Sequence, residues 1–264
     1  VFARAGLVAT VYAPAPEEYA HLQKEQVVFA FWALPAVRPE DFRALTEHEA
    51  TTVGIEAIED DAGYAPVRTS MSEIAGSLAV VMGSGLLLNA FGGKGILLGG
   101  VPGVPPANFV VLGAGVLGRA AARAALGLGA QVALLDVSVA HLREAASRLP
   151  STVTTMLATL PNAEKALSFA DLVLGAVAVR EHRAPILVTR EMLRLMKPRT
   201  VVVDLAIDMG GCFETSRPTT FGSPTYEVDG ILHMCIPNLP SVAARTAPQA
   251  LTNALLPYLH AVAD

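Results

Sequence analysis

The residues best placed to do chemistry begin at an apolar run, Val110-Val111-Leu112, that opens into Gly113-Ala114-Gly115-Val116-Leu117-Gly118. Gly-x-Gly-x-x-Gly between a strand and a helix binds the pyrophosphate of a dinucleotide, and each glycine has its own task. The first makes the tight turn, the second lets phosphate approach the backbone, and the third packs helix on strand. The helix that follows presents unpaired N–H groups and a positive dipole end to the phosphates. Asp136 closes the next apolar run, about 20 residues on, where a carboxylate accepts hydrogen bonds from an adenosine ribose. A carboxylate there repels a 2′-phosphate, so the expected cofactor is NAD rather than NADP. His141, five residues on, reads as an exposed helix residue.

A second cluster runs from Val202 to Thr220, where an apolar strand opens into a loop with two acids, two glycines and several hydroxyls. Ligands bind beyond the carboxyl ends of parallel strands, so Asp208 is expected to line a cleft, while Asp204, inside the apolar run, reads as structural. A third piece, Cys235-Ile236-Pro237-Asn238-Leu239-Pro240, also follows a strand and offers Asn238 to a carboxamide or substrate. His233, on that strand, reads as a core or interface residue.

These residues need a scaffold of alternating strands and helices. In the first 60 residues, strands are predicted at 7–12, 27–34 and 53–58, with helices at 16–24 and 39–49, each opening on a proline followed by acids. This order points to a parallel sheet. A polar segment, 60–69, suggests a domain crossing, and a long helix is predicted over Ser72–Ala90. Beyond the Gly/Pro-rich stretch 92–106, strands are predicted at 109–112, 131–135, 152–156, 172–177, 200–204 and 231–236, with a helix at 119–126. Their Val/Leu content suits strands buried on both faces.

Composition narrows the function classes. The chain has 264 residues, 52% of them hydrophobic and 16% charged, which excludes a disordered polymer. A net charge of −5 without a basic cluster argues against nucleic acid as a partner. Two cysteines, Cys212 and Cys235, cannot form a disulfide framework and read as reduced thiols of a cytoplasmic protein. Mean hydropathy is +0.46, and residues 74–93 carry no charge over about the length of a bilayer span. Five glycines in that stretch and the lack of basic flanks point instead to a buried, closely packed helix, and no membrane or metal partner is expected. The chain opens Val1-Phe2-Ala3-Arg4 without an initiator methionine, so a preceding segment is expected.

Along essentially its whole length the sequence resembles the alanine dehydrogenases and the related first domain of proton-translocating transhydrogenase. The matching segments are Met71-Ser72-Glu73-Ile74-Ala75-Gly76, Gly99-Gly100-Val101-Pro102-Gly103-Val104, the loop 113–118, Ala206 to Thr220, Arg245-Thr246 and Ala250-Leu251-Thr252-Asn253-Ala254. The resemblance implies an α/β subunit with two parts. One is a Rossmann-type doubly wound parallel sheet over residues 67–245. The other is a flavodoxin-like α/β substrate domain from residues 1–66 and 246–264, expected to extend past both ends. It further implies NAD in the cleft between domains, homo-oligomers that are commonly hexameric, and hydride transfer between NADH and an imino acid formed from a 2-oxo acid and ammonia.

Carried over residue by residue, the resemblance sets Ser72, Gly113, Gly115, Gly118, Asp136, Val177, Leu205, Ile236 and Leu239 against NAD, with Asp208 and Asn238 at the nicotinamide and substrate end. The family's substrate-binding lysine falls on Tyr12 and its acid/base histidine on Ala33, while a family arginine would precede Val1. A phenol holds no substrate carboxylate by charge, and alanine cannot activate water. Loss of a general base costs on the order of 10²- to 10⁴-fold. The expectation is therefore an alanine dehydrogenase-like oxidoreductase acting on an amino acid or 2-oxo acid, diverged in substrate or activity. The alternatives are a catalytically silent NAD-binding homologue and an NAD-using deaminase or cyclodeaminase.

Overall fold

The computed structural model describes residues 2–32, 43, 47–177 and 183–263. The chain forms two compact units, one from residues 1–71 and 245–264 and the other from residues 72–244. Both are α/β units built on parallel strands.

The larger unit carries a seven-stranded sheet. Its strands are β4 (Asn108–Leu112), β5 (Gln131–Asp136), β6 (Thr154–Leu157), β7 (Leu172–Gly175), β8 (Val201–Asp204), β9 (Tyr226–Val228) and β10 (Ile231–Met234), in the order β6-β5-β4-β7-β8-β10-β9. All neighbours are parallel except the β10–β9 pair at the edge. Chain order reverses at β4, with β5 on one side and β7 on the other, and this switch point is where such sheets open a crevice.

Alternate strand residues feed two cores, as a period of two requires. Phe109, Val111, Leu134, Leu174 and Val203 face helices α1 (Pro66–Leu86), α2 (Val116–Gly127) and α3 (Val139–Arg148). Val110, Leu112, Leu135, Val173 and Val202 face α4 (Leu160–Phe169) and α5 (Arg190–Leu193). Helices on both faces make the sheet doubly wound. Ser138, Thr159 and Thr189 cap α3, α4 and α5 by accepting from the N–H three residues on.

In the uncharged stretch, glycines serve packing. A Cβ on Gly76 would meet Ala121 N at 2.9 Å and the Leu117 carbonyl closer still, so α1 crosses α2 backbone against backbone. Among the described residues no helix is long and apolar enough to cross a membrane.

The smaller unit has β1 (Leu7–Tyr12), β2 (Val27–Phe31) and β3 (Thr51–Gly54), parallel and in that order. Val28 and Ala30 pack with Tyr19, Leu22 and Trp32, whereas Phe29 packs on the other face with Ile55, Val67 and Leu255 of α6 (Thr246–Ala263).

Several predicted elements change. The long helix begins at Pro66 rather than Ser72 and ends at Leu86, followed by a 3-10 turn at Asn89–Phe91. The predicted 53–58 strand is Thr51–Gly54, after which Ile55–Ala57 turns as a 3-10 helix. Pro16–His21 is a 3-10 helix and not a longer α-helix. Ala33 and most of the predicted 39–49 helix lie outside the described residues.

Candidate functional site

The loop between β4 and α2 shows three different reasons for its three glycines. Gly113 has φ +114°, and a Cβ there would meet the Ala176 peptide and Val177 Cγ1 at 3.2 Å. At Gly118 a Cβ would strike the Gly113 carbonyl oxygen, so helix and loop touch only because it is absent. A Cβ on Gly115 would find nothing within 4 Å. Gly115 caps α2 and, having no side chain, makes no side-chain cap hydrogen bond. Open space before an uncapped helix N-terminus fits a pyrophosphate, so the residues present suit a dinucleotide.

Asp136 buttresses that loop. Its Oδ2 accepts from Ala114 N–H at 2.7 Å and its Oδ1 from Ser138 N–H at 2.7 Å. Arg119 holds the next peptide of the loop, donating to the Ala114 carbonyl at 2.8 Å and to Glu144 at 3.0 Å. A carboxylate oxygen accepts more than one hydrogen bond, so Asp136 can brace the loop and still take a ribose hydroxyl. His141 is exposed, with Nδ1 3.4 Å from Asp136 Oδ1.

The second cluster folds around Asp204, which is fully buried. Its carboxylate accepts from Ala206 N–H at 2.9 Å, Cys212 N–H at 2.8 Å and Ser216 Oγ at 2.6 Å. That ring closes residues 205–216 into a fixed loop and confirms Asp204 as structural. Its first part is a 3-10 helix, Leu205–Met209, ending on left-handed Gly210. Asp208 stands on this turn, open to solvent on one side. The carboxyl is nevertheless pushed above its ordinary range by desolvation, which the Asn238 N–H opposes. That N–H lies 3.1 Å from Asp208 Oδ1 and 3.4 Å from Oδ2. Asn238 itself has φ 47° and ψ 48°, a left-handed conformation rare outside glycine.

The thiols and the histidine nearby are quiet. Burial, reinforced by Asp204, pushes the Cys212 thiol far up, and burial raises Cys235 too. Both are free cysteines kept as thiols. His233 is fully buried, with Nδ1 3.0 Å from the Ile231 carbonyl and Nε2 2.9 Å from Thr215 Oγ1. A carbonyl only accepts, so Nδ1 carries the proton and Nε2 takes the Thr215 hydroxyl. Burial lowers its pKa, which keeps it neutral and structural.

Apart from Ser72 on α1, the predicted residues of the larger unit follow the carboxyl ends of β4, β5, β7, β8 and β10. Val177 sits against Gly113, Leu205 is half-buried at the start of its turn, and Ser72 is half-buried on α1, one turn before the Gly76 crossing. Ile236 and Leu239 are each only 2% exposed and belong to the core, which leaves mainly backbone to meet a ligand. Tyr12 ends β1 in the smaller unit with 65% of its surface exposed. Residue-type reasoning overlooked Arg183, whose guanidinium lies over Gly210. Among the described residues no group of three or more His, Cys, Asp or Glu could hold a metal ion.

The profile described as "Alanine dehydrogenase/PNT, C-terminal domain" matches residues 79–264. An alanine dehydrogenase of Halomonas elongata is 46% identical over 260 residues, covering 98% of this chain and 70% of that protein. The solved structure of an L-alanine dehydrogenase superposes with a TM-score of 0.91 at 42% identity, over 97% of this chain and 71% of the other. A transhydrogenase from Sinorhizobium meliloti superposes at 0.83 with 27% identity, over 99% and 75%. On this evidence the chain belongs to the alanine dehydrogenase/PNT family.

Proposed function

We propose that the protein is an NAD-dependent amino-acid dehydrogenase that interconverts an L-amino acid with its 2-oxo acid and ammonia. The observation that carries this reading is the Gly113–Gly115–Gly118 cradle, open at Gly115 and braced by Asp136, beside the Asp208 turn at the ends of β7 and β8. The relatives are alanine dehydrogenases by name, which supports the same class.

In this reading, residues 67–245 form the cofactor domain, and residues 1–66 with 246–264 form the substrate domain. The N-terminus of α2 holds the pyrophosphate, Asp136 takes the adenosine ribose and disfavours a 2′-phosphate, and Val177 and Leu205 supply apolar contacts. Ser72, Ile236 and Leu239 complete the cofactor's surroundings. Bound NADH supplies the hydride. Asp208, a carboxylate pushed up by desolvation, attracts the positive charge of an iminium or ammonium, and Asn238 fixes its orientation through the backbone. Tyr12 and Ala33 are the proposed substrate-facing positions of the smaller unit. A homo-oligomer in the cytoplasm, commonly a hexamer in this family, completes the proposal.

The test is a paired titration. NADH binding is followed by fluorescence, then NADH consumption is measured with pyruvate and ammonia, on the wild type and on a Tyr12→Lys, Ala33→His double variant. Turnover by the wild type supports the dehydrogenase. Binding without turnover, rescued in the double variant, identifies a scaffold whose alanine chemistry has diverged. Ammonia release from a diamino acid without net NADH marks a deaminase. Failure to bind NADH ends the proposal.

A further inference from the structure

Arg119 directly follows the last glycine of the dinucleotide loop and is the fourth residue of α2. Its Nη1 donates both to the Ala114 carbonyl at 2.8 Å and to Glu144 Oε2 of α3 at 3.0 Å, and its side chain is only 12% exposed. Glu144 is held in turn by Arg148, whose Nη2 lies 3.1 Å from Oε1. The guanidinium is therefore fixed in place beside the loop by a carboxylate from the neighbouring helix.

The bond to Ala114 decides where the following N–H points. The peptide between Ala114 and Gly115 is trans and planar, so its C=O and N–H point in opposite directions. A carbonyl tied to Arg119 turns the Gly115 N–H away from the guanidinium. The preceding peptide is tied as well, since Ala114 N–H donates to Asp136 Oδ2 at 2.7 Å. Fully buried Ala114 is thus clamped on both sides, and the clamp presents Gly115, where a Cβ would find open space. Charge favours the same reading. Helix α2 carries Arg119 and Arg123 and no acid, and the positive end of its dipole disfavours a nearby cation. An anion bound before the helix offsets both charges.

We infer that Arg119, held by Glu144, is a positioning residue for the dinucleotide, which turns the Ala114–Gly115 peptide so that the Gly115 N–H faces the pyrophosphate. The inference rests on the dinucleotide-binding part of the reading above and adds a residue that acts through the loop.

The experiment uses the whole chain. NADH affinity is measured by fluorescence titration on the wild type, Arg119→Met, Arg119→Lys, Glu144→Gln and Glu144→Ala, with ADP and adenosine as competitors and melting temperatures recorded alongside. Loss of a charge-assisted hydrogen bond to the loop is expected to weaken NADH and ADP about tenfold or more in Arg119→Met. Adenosine, which has no phosphate for the loop to meet, should compete within about twofold of its wild-type strength. Arg119→Lys should recover part of the loss, because it keeps a charged donor. Glu144→Gln keeps an acceptor for the guanidinium and should bind NADH within about threefold of wild type, whereas Glu144→Ala releases Arg119 and should weaken NADH and ADP together. Unchanged NADH affinity in Arg119→Met overturns the inference and leaves the cofactor reading standing. Equal weakening of adenosine and ADP also overturns it, because damage to the whole unit and not the aim of one peptide would then be the cause. If Arg119→Met does not fold, Glu144→Ala decides in its place, and unchanged NADH affinity there overturns the inference. A wild type that does not bind NADH removes the cofactor reading and this inference together.

Discussion

The backbone N–H of Asn238 donates to the Asp208 carboxylate at 3.1 Å, joining the loop after β10 to the turn after β8. Because the donor is a main-chain group, Asp208→Asn keeps an acceptor for it and changes the charge alone. The variant should fold normally and bind NADH within a few-fold of wild type. Its kcat should fall by about 10²-fold or more. Desolvation raises the Asp208 carboxyl, so the acid limb of the wild-type rate profile should lie above the ordinary carboxylate value of 3.8 and be missing in the variant. A kcat within threefold of wild type would remove Asp208 from the chemistry.

The glycine loop allows folding and binding to be separated. Gly115→Ala adds a methyl group into open space at an ordinary φ of −66°, so its melting temperature should match wild type. The same methyl occupies the proposed pyrophosphate position, and NADH affinity should drop at least tenfold. Gly118→Ala instead drives Cβ into the Gly113 carbonyl. It should cost about 1–3 kcal/mol or more in stability. Calorimetry and NADH titration on the two variants read the contrast directly.

Much of this scaffold is legible in local pattern. The β4–loop–α2–β5 unit follows from an apolar run, three glycines and a terminal acid, because each signal lies within a few residues of the structure it specifies. The start of α1 is different. Val67 is fully buried against Phe29, Ile55 and Leu255, residues distant in sequence, and the local sign of the helix start is Pro66 alone, with no acid in the first turn to reinforce it. Strand β9 was overlooked despite a usable signal. Asp229 and Gly230 have φ of 50° and 78°, the positive pair that an Asp-Gly hairpin turn requires. The Asp208–Asn238 contact and the Arg183 guanidinium over Gly210 depend on which loops meet above the sheet, and residue types alone do not carry that.

Lys94 and Asp171 test the base of the larger sheet. Lys94 Nζ donates to Asp171 at 2.9 Å with side chains only 12% and 9% exposed, and Asn108 N–H donates to the other carboxylate oxygen at 3.0 Å. Burial alone would raise this carboxyl, but together the Asn108 and Lys94 interactions hold it below the usual range. Removing one partner strands a buried charge, so Lys94→Met should destabilise by about 3–5 kcal/mol. Denaturant unfolding measures that loss, and Lys94→Arg should recover part of it.

His233 fixes how stability depends on pH. Desolvation lowers its folded-state pKa, outweighing the Ile231 hydrogen bond and the Asp204 charge that favour the cation. The folded chain therefore takes up the proton later than the unfolded one, whose value is 6.5. The contribution is fully present above pH 6.5 and is lost as pH falls through the folded-state value, with a slope of up to about 1.4 kcal/mol per pH unit. Protonation would also turn Nε2 into a donor facing the Thr215 hydroxyl, which must then reverse its own hydrogen bond. Melting temperatures recorded from pH 7.5 to 5 should fall more steeply for wild type than for His233→Gln, which cannot take up this proton. Parallel curves for the two proteins would mean that His233 titrates alike in the folded and unfolded chains.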